Sequence, residues 1–482
     1  MNHIYKLFSY KTISLFLGII NTIVVVQLFG TSREIEIYFV AQTLVFMVTS
    51  LAQSGQLAEL FLPEYLNQKS KSKLNGFNSL NVVVNRVLFF GILICAFTFF
   101  ISPYLIKIIV PNYDIVDQNK AVLYFKSLMP IILIQVINSF FLIVLNAEKK
   151  YGKAEILGIL NISINIILLL LLFDSLGVWA IIISVSLAKS LELLFFFISL
   201  KKIGYVYYPT KKLKGFDHKV FFSQLKNTIV YVGSTQIYNI ALTASISYLP
   251  QGTFAIFKYI QNLVVKISNV SINSFITIFY TEFSSNKSNF KVIDRTSSSL
   301  ISLNTVIILS CIFLGNYIIY FLWGSDKFDN NSVFIAYIFL IFNMIGLYFS
   351  SIGSIYRKMV MSHGYGGKLY LFWSIGQIVC AALSYFLISF FDLYGLYLIV
   401  CLNYLVMFLF SYTIYSIKIK KWKFKFFTKT NIFYLIIVFL SLIIKYAVGY
   451  EVDFILQKLL LPLILILLII IPLKNLYFSI YK

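Results

Sequence analysis

The feature that most restricts this 482-residue chain is its succession of long apolar runs, each close to the roughly 20 residues a helix needs to cross a bilayer. Fourteen can be read off, at 12–29, 37–60, 82–101, 122–146, 156–173, 177–200, 227–249, 254–280, 298–322, 332–355, 369–390, 393–416, 431–449 and 454–473. Only 12% of the residues are charged, against about a quarter in a soluble domain. Such a chain cannot cover itself with a water-facing surface, and disorder and disulfide scaffolds are excluded as readily. The expectation is an all-α membrane protein with about 14 transmembrane helices. The first run has no small-residue cleavage site after it, so it reads as a retained helix rather than a leader.

Loop charges test the span assignment independently. Taken with the termini, every second loop sums to +24 and the intervening loops sum to −4. Six charges inside spans add +2, which restores the net charge of +22. Basic loops stay on the cytoplasmic side, so both termini are expected there, in a bacterial inner membrane. The lysine runs at 201–226 and 418–429 are juxtamembrane, where anionic lipid headgroups attract them, and no nucleic-acid role is expected.

Metal and redox chemistry find little to work with. Cys95, Cys311, Cys380 and Cys401 lie far apart in apolar runs, and the histidines are only His3, His218 and His363. Structural zinc and disulfide frameworks need clustered ligands. No metal and no cofactor are expected.

The chain also repeats itself. Phe173-Asp174-Ser175-Leu176-Gly177 leads through an apolar span to Lys201-Lys202, and 218 positions later Phe391-Asp392-Leu393-Tyr394-Gly395 leads through another to Lys420-Lys421. Tyr151-Gly152-Lys153 and Tyr365-Gly366-Gly367-Lys368 correspond in the preceding loops. The expected organisation is an N-terminal lobe of six spans (1–200), a basic cytoplasmic linker (201–226), a C-terminal lobe of six spans (227–417), and a basic loop with two extra spans (418–482). Two such lobes, with a substrate path between them, are a transporter architecture.

With these landmarks in place, the sequence resembles the MurJ (MviN) lipid II flippases, relatives of polysaccharide-unit flippases and MATE exporters. The likeness is carried by Leu17-Gly18, Leu28-Phe29-Gly30, Phe39-Val40-Ala41, Gly55 and Phe61-Leu62-Pro63. Further on it continues through Leu145-Asn146-Ala147, Leu160-Asn161-Ile162, Gly177-Val178-Trp179-Ala180, Lys201-Lys202-Ile203-Gly204 and Leu249-Pro250-Gln251-Gly252. The resemblance implies alternating access and a cavity whose arginines hold an anionic headgroup. Those arginine positions fall here on Leu15 and Asn21 in the first span, Thr49 or Ser50 in the second, and Asn262 in the eighth. The family's acidic residue after the first helix is matched by Glu36.

Ionisable residues inside spans are costly and therefore candidates for function. They are Glu59, Lys126, Lys189, Glu192, Lys258 and Lys266. Lys189 and Glu192, three apart, are expected to pair on one helix face. Lys258, Asn262 and Lys266, four apart, form one stripe on the eighth span, with lysine flanking the position where the resemblance implies arginine. Substrate binding is therefore assigned to Lys258, Asn262, Lys266, Asn21 and Lys126, and coupling or gating to Glu36 and Glu59. The alternatives for Lys258 and Lys126 are snorkelling to the interface, and for Lys266 pairing with a polar neighbour.

An embedded enzyme would need a sizeable outer loop with a nucleophile and a base. The longest outer loop, 102–121, holds only Asp114 and Asp117 as carboxylates. Gly366-Gly367-Lys368 lacks the rest of a phosphate-binding loop. A drug antiporter needs a carboxylate in its first span, which is absent. The expected function is a flippase for an undecaprenyl-pyrophosphate-linked O-antigen or capsule-type repeat unit, because the family's arginines are missing. The alternative is lipid II for peptidoglycan, and a lesser one is a MATE-like multidrug antiporter. Expected partners are the lipid-linked anionic saccharide, anionic lipids at the cytoplasmic face, and glycan polymerases or synthases.

Overall fold

The computed structural model describes the chain except residues 1, 54–55, 211–217, 286–289, 364, 420–428, 449–464, 466–467 and 475–482. It is an all-α membrane protein. Its named elements are α1 (Asn2–Phe29), α2 (Arg33–Gln53), α3 (Gln56–Lys71), α4 (Lys73–Ile109), α5 (Ile115–Ala147), α6 (Tyr151–Leu176) and α7 (Trp179–Lys201). They continue with α8 (His218–Ile246), α9 (Thr253–Ser285), α10 (Phe290–Trp323), α11 (Asn330–Ser362), α12 (Gly366–Lys418) and α13 (Lys429–Val448). Residues 465 and 468–474, at the end of the last predicted span and one residue beyond it, are also helical.

Eight of these helices are long and apolar enough among the described residues to cross a membrane: those containing Thr12–Phe29, Lys73–Ile109, Ile115–Ala147, Glu155–Leu176, Trp179–Lys201, Ser297–Trp323, Asn330–Met361 and Gly366–Lys418. The helix α2 falls outside that set because Arg33, Glu34 and Glu36 crowd its start with charge. The second predicted span, 37–60, is described on both sides of residues 54–55. The helix α2 ends at Gln53 and α3 begins at Gln56, running on to Lys71 as a more polar segment.

The 53-residue α12 joins two predicted spans through one residue, Asp392, at φ 48° and ψ −125°. Trp373 bonds Ser411 and Gln377 bonds Asn403, so the two halves run antiparallel as a hairpin. Gly395 closes it: a Cβ there would lie 2.1 Å from the Leu387 carbonyl oxygen. The α6–α7 pair turns on Gly177 with nearly the same backbone, φ 53° and ψ −127°. Both hairpins thus turn on one residue of positive φ, Gly177 in the first and Asp392 in the second.

The chain divides into two compact units, one comprising Met1–Leu28 and Ser32–Tyr248, the other Phe29–Thr31 and Leu249–Lys482. In the first, α2 packs on α5, α6 on α7, and α3 and α4 on α5. Phe61, Tyr65, Phe77, Phe140, Phe141 and Tyr205 form part of one buried cluster there. In the second, α11 packs against α9, α10 and α12, and α13 against α10. Phe29–Thr31 completes that unit: Tyr259 Oη donates to the Gly30 carbonyl at 2.8 Å, and the Thr31 amide donates to the Lys327 carbonyl at 3.2 Å. Gly30 has φ +55°, and a Cβ would sit 2.1 Å from the Lys327 oxygen, so only glycine fits.

Candidate functional site

The candidate site is built on α9. One side of this helix is buried in the second unit through Ala255, Ile256, Tyr259, Ile260, Leu263 and Val264. The other side carries Lys258 and Lys266, half-buried, with Asn262 and Asn269 exposed. These positions recur at helical spacing, so they form one uncovered polar stripe. From Lys258 to Lys266 the helix rises about 12 Å. The Lys258 ammonium lies 5.1 Å from the Phe254 ring centroid and 5.6 Å from that of Phe257. Ring faces attract a cation without neutralising it, so its charge stays available to an anion. Lysine facing hydrocarbon costs about 2.5–3.5 kcal/mol at mid-membrane, so such a stripe belongs against water or a polar ligand.

The remaining candidates sit in the first unit, in different settings. Asn21 on α1 is half-buried, and its Oδ1 accepts from Asn165 Nδ2 on α6 at 3.1 Å. Lys126 on α5 places its ammonium 4.3 Å from the Phe99 ring centroid on α4. Glu36 is buried and accepts from Arg33 at 3.1 Å, while Arg33 Nε donates to Asp117 at 2.7 Å. The Arg33 guanidinium lies 3.3 Å from the Tyr113 ring centroid. Glu36 thus belongs to a charge cluster joining the starts of α2 and α5. The Glu59 side chain lies outside the described residues.

Lys189 and Glu192 pair as their spacing predicts, at 2.7 Å. What the sequence reading missed is the convergence around them. Asn138 on α5 and Asn161 on α6 also donate to Glu192 Oε2, at 3.2 and 3.4 Å. One carboxylate oxygen therefore ties three helices. The available signal was the asparagines inside apolar runs, whose interhelical bonding is the usual solution in a membrane. A second missed feature is the extended segment 204–210, described below with its partners on α4.

Among the described residues no group of three or more His, Cys, Asp or Glu could hold a metal ion. The arrangement is a cationic stripe on one helix, with buried ion pairs and amides that fix others.

Comparison with known proteins gives a consistent result. The family model "Lipid II flippase MurJ" matches residues 25–469. A protein of Buchnera aphidicola subsp. Acyrthosiphon pisum (strain APS) described as "Probable lipid II flippase MurJ" is 24% identical over 339 residues, which are 67% of this chain and 65% of that protein. This chain therefore spans just under two thirds of that relative's length. Among solved structures, a lipid II flippase MurJ in an inward closed conformation matches with a TM-score of 0.78 at 21% identity, covering 99% of this chain and all of the other. An inward-facing multidrug resistance MATE transporter of the MOP superfamily matches with a TM-score of 0.65 at 14% identity, over 86% of this chain and 96% of that one. The two likenesses share the fold of multi-pass membrane transporters, and the match over residues 25–469 shows that this chain belongs to the MurJ family of lipid II flippases.

Proposed function

We propose that this chain carries lipid II, the undecaprenyl-diphosphate-linked precursor of peptidoglycan, from the cytoplasmic to the outer leaflet by alternating access. The observation that carries this reading is the uncovered Lys258–Asn262–Lys266 stripe on α9. A diphosphate headgroup needs cations presented inside the membrane, and this stripe presents two with an amide between them. Lysine acts there as a point charge rather than a planar fork. The missing family arginines favour an O-antigen or capsule-type unit on sequence alone; family membership supports lipid II instead. Both termini and the basic loops face the cytoplasm in this reading, and glycan polymerases or synthases take the product. A positively charged cavity is also one whose empty state responds to membrane potential, at roughly 2.3 kcal/mol per charge per 100 mV.

Complementation in a bacterium depleted of its own lipid II flippase tests the proposal, with membrane insertion confirmed. The expected result is growth with the native chain and none with Lys258→Ala/Lys266→Ala at equal abundance. Each charge-assisted bond is worth about 1.5–3 kcal/mol, so losing both should weaken headgroup binding about a hundredfold or more. Failure of the inserted native chain would favour the polysaccharide unit. Full growth with the double variant would remove the stripe from the mechanism.

A further inference from the structure

Lysine supplies 36 of the chain's 40 Lys and Arg residues; the four arginines are Arg33, Arg86, Arg295 and Arg357. Arg33 is committed to Asp117 and Glu36. Arg357, near the C-terminal end of α11, is held differently. Its guanidinium carbon lies 5.6 Å from the Trp373 ring centroid, a cation–π arrangement. The platform itself is fixed: Trp373 Nε1 donates to Ser411 Oγ at 3.1 Å, and Ser411 donates onward to the Met407 carbonyl at 2.8 Å. Trp373 and Ser411 are both buried. Yet Arg357 Nε is buried with no acceptor, and among the described residues no carboxylate pairs with Arg357.

The two helices that hold it supply no anion at that end. From Asn330 through Phe391 the sequence contains no Asp or Glu, and Asp392 is the sole carboxylate of α11 and α12. Asp392 lies 19 residues beyond Trp373, about 28 Å along the helix. Lys358 and Lys368 add positive charge at the Arg357 end. Among the described residues Arg357 is thus a guanidinium that is oriented, partly desolvated and without a counterion; such a group suits a ligand that fits its planar fork, and phosphate fits it in two parallel bonds.

We propose that Arg357 is a phosphate-binding residue at the cytoplasmic end of the second unit, taking the diphosphate of the lipid-linked substrate as it leaves the inner leaflet. The inference rests on the flippase reading above and adds to it the first contact on the path to the α9 stripe. A bulk phospholipid offers the same phosphate chemistry, so the test separates the two sources. Purified full-length chain is titrated in native mass spectrometry with undecaprenyl diphosphate and, separately, with dioleoylphosphatidylglycerol. Arg357→Lys and Arg357→Gln are compared with the native protein.

The expected result is about tenfold weaker undecaprenyl diphosphate binding in both variants, with phosphatidylglycerol binding changed less than about twofold. Equal weakening toward both lipids would overturn the proposal and make Arg357 an interfacial anchor. Unchanged undecaprenyl diphosphate binding would overturn it outright. If Arg357→Gln does not fold, Arg357→Lys, which keeps the charge and loses the fork, decides alone. A native chain that takes no undecaprenyl diphosphate would instead strike the flippase reading itself.

Discussion

Asp392 holds a backbone conformation, φ 48° and ψ −125°, that an L side chain rarely adopts, while the α6–α7 turn uses a glycine, Gly177, for nearly the same conformation. Replacing Asp392 by Gly should therefore relieve strain, add about 0.5–1 kcal/mol of stability and so raise the melting temperature, despite the extra freedom of the unfolded chain. Gly177→Ala should cost about 1 kcal/mol or more by the reverse logic, and thermal melts in detergent check both. Gly177 and Gly395, which the sequence repeat pairs, have different local roles: Gly177 supplies positive-φ backbone, whereas Gly395 supplies close approach to Leu387. The Lys189–Glu192 pair, by contrast, was legible from spacing. Removing either partner alone should cost about 3–5 kcal/mol by stranding the other charge, and Lys189→Met/Glu192→Leu should recover most of that loss. Melts of the four forms measure the coupling, and additive losses would contradict it.

At the scale of elements, most helices were legible, because hydrophobic runs of this length have one solution in a bilayer. Polar packing at the helix ends was not, since it depends on partners far away in sequence. The segment 204–210 shows why. Tyr205 Oη donates to Asn81 and Tyr207 Oη to Asn85, at 2.7 and 2.5 Å, and Tyr208 Oη donates to Asn78. Asn81 donates back to the Val206 carbonyl, and Asn85 to those of Tyr208 and Thr210. Three asparagines on one face of α4 thus pair with an extended strap, a match that no periodicity announces. Nearby, Glu148 caps α5 and accepts from Lys69 and Tyr65, each at 2.8 Å. Burial alone would push the Glu148 carboxyl up, but the hydrogen bonds from Lys69 and Tyr65, and the charges of Lys69 and Lys73, outweigh it and hold it below the ordinary glutamate range. A lowered carboxyl stabilises above its unfolded pKa, about 4.3, and that contribution is lost as pH falls through the folded value. Melts from pH 7 downward should show Glu148→Gln less stable at neutral pH, with the gap to the native chain closing in acid.

At the scale of the whole molecule, the family emerged from weak motifs in a fixed order, and the substrate preference did not. Asn21 and Asn262 stand where arginines were expected, so the sequence reading placed lipid II second to a polysaccharide unit; it gave no weight to Arg357, which it counted only as a loop charge. One structural feature bears on how such a chain is made. The second unit contains Phe29–Thr31, a turn whose flanking helices belong to the first. Three residues synthesised more than two hundred positions ahead of the rest must therefore wait for their Tyr259 and Lys327 partners to emerge. A gene cut in two between the halves would therefore leave the second product without three residues that complete its own fold.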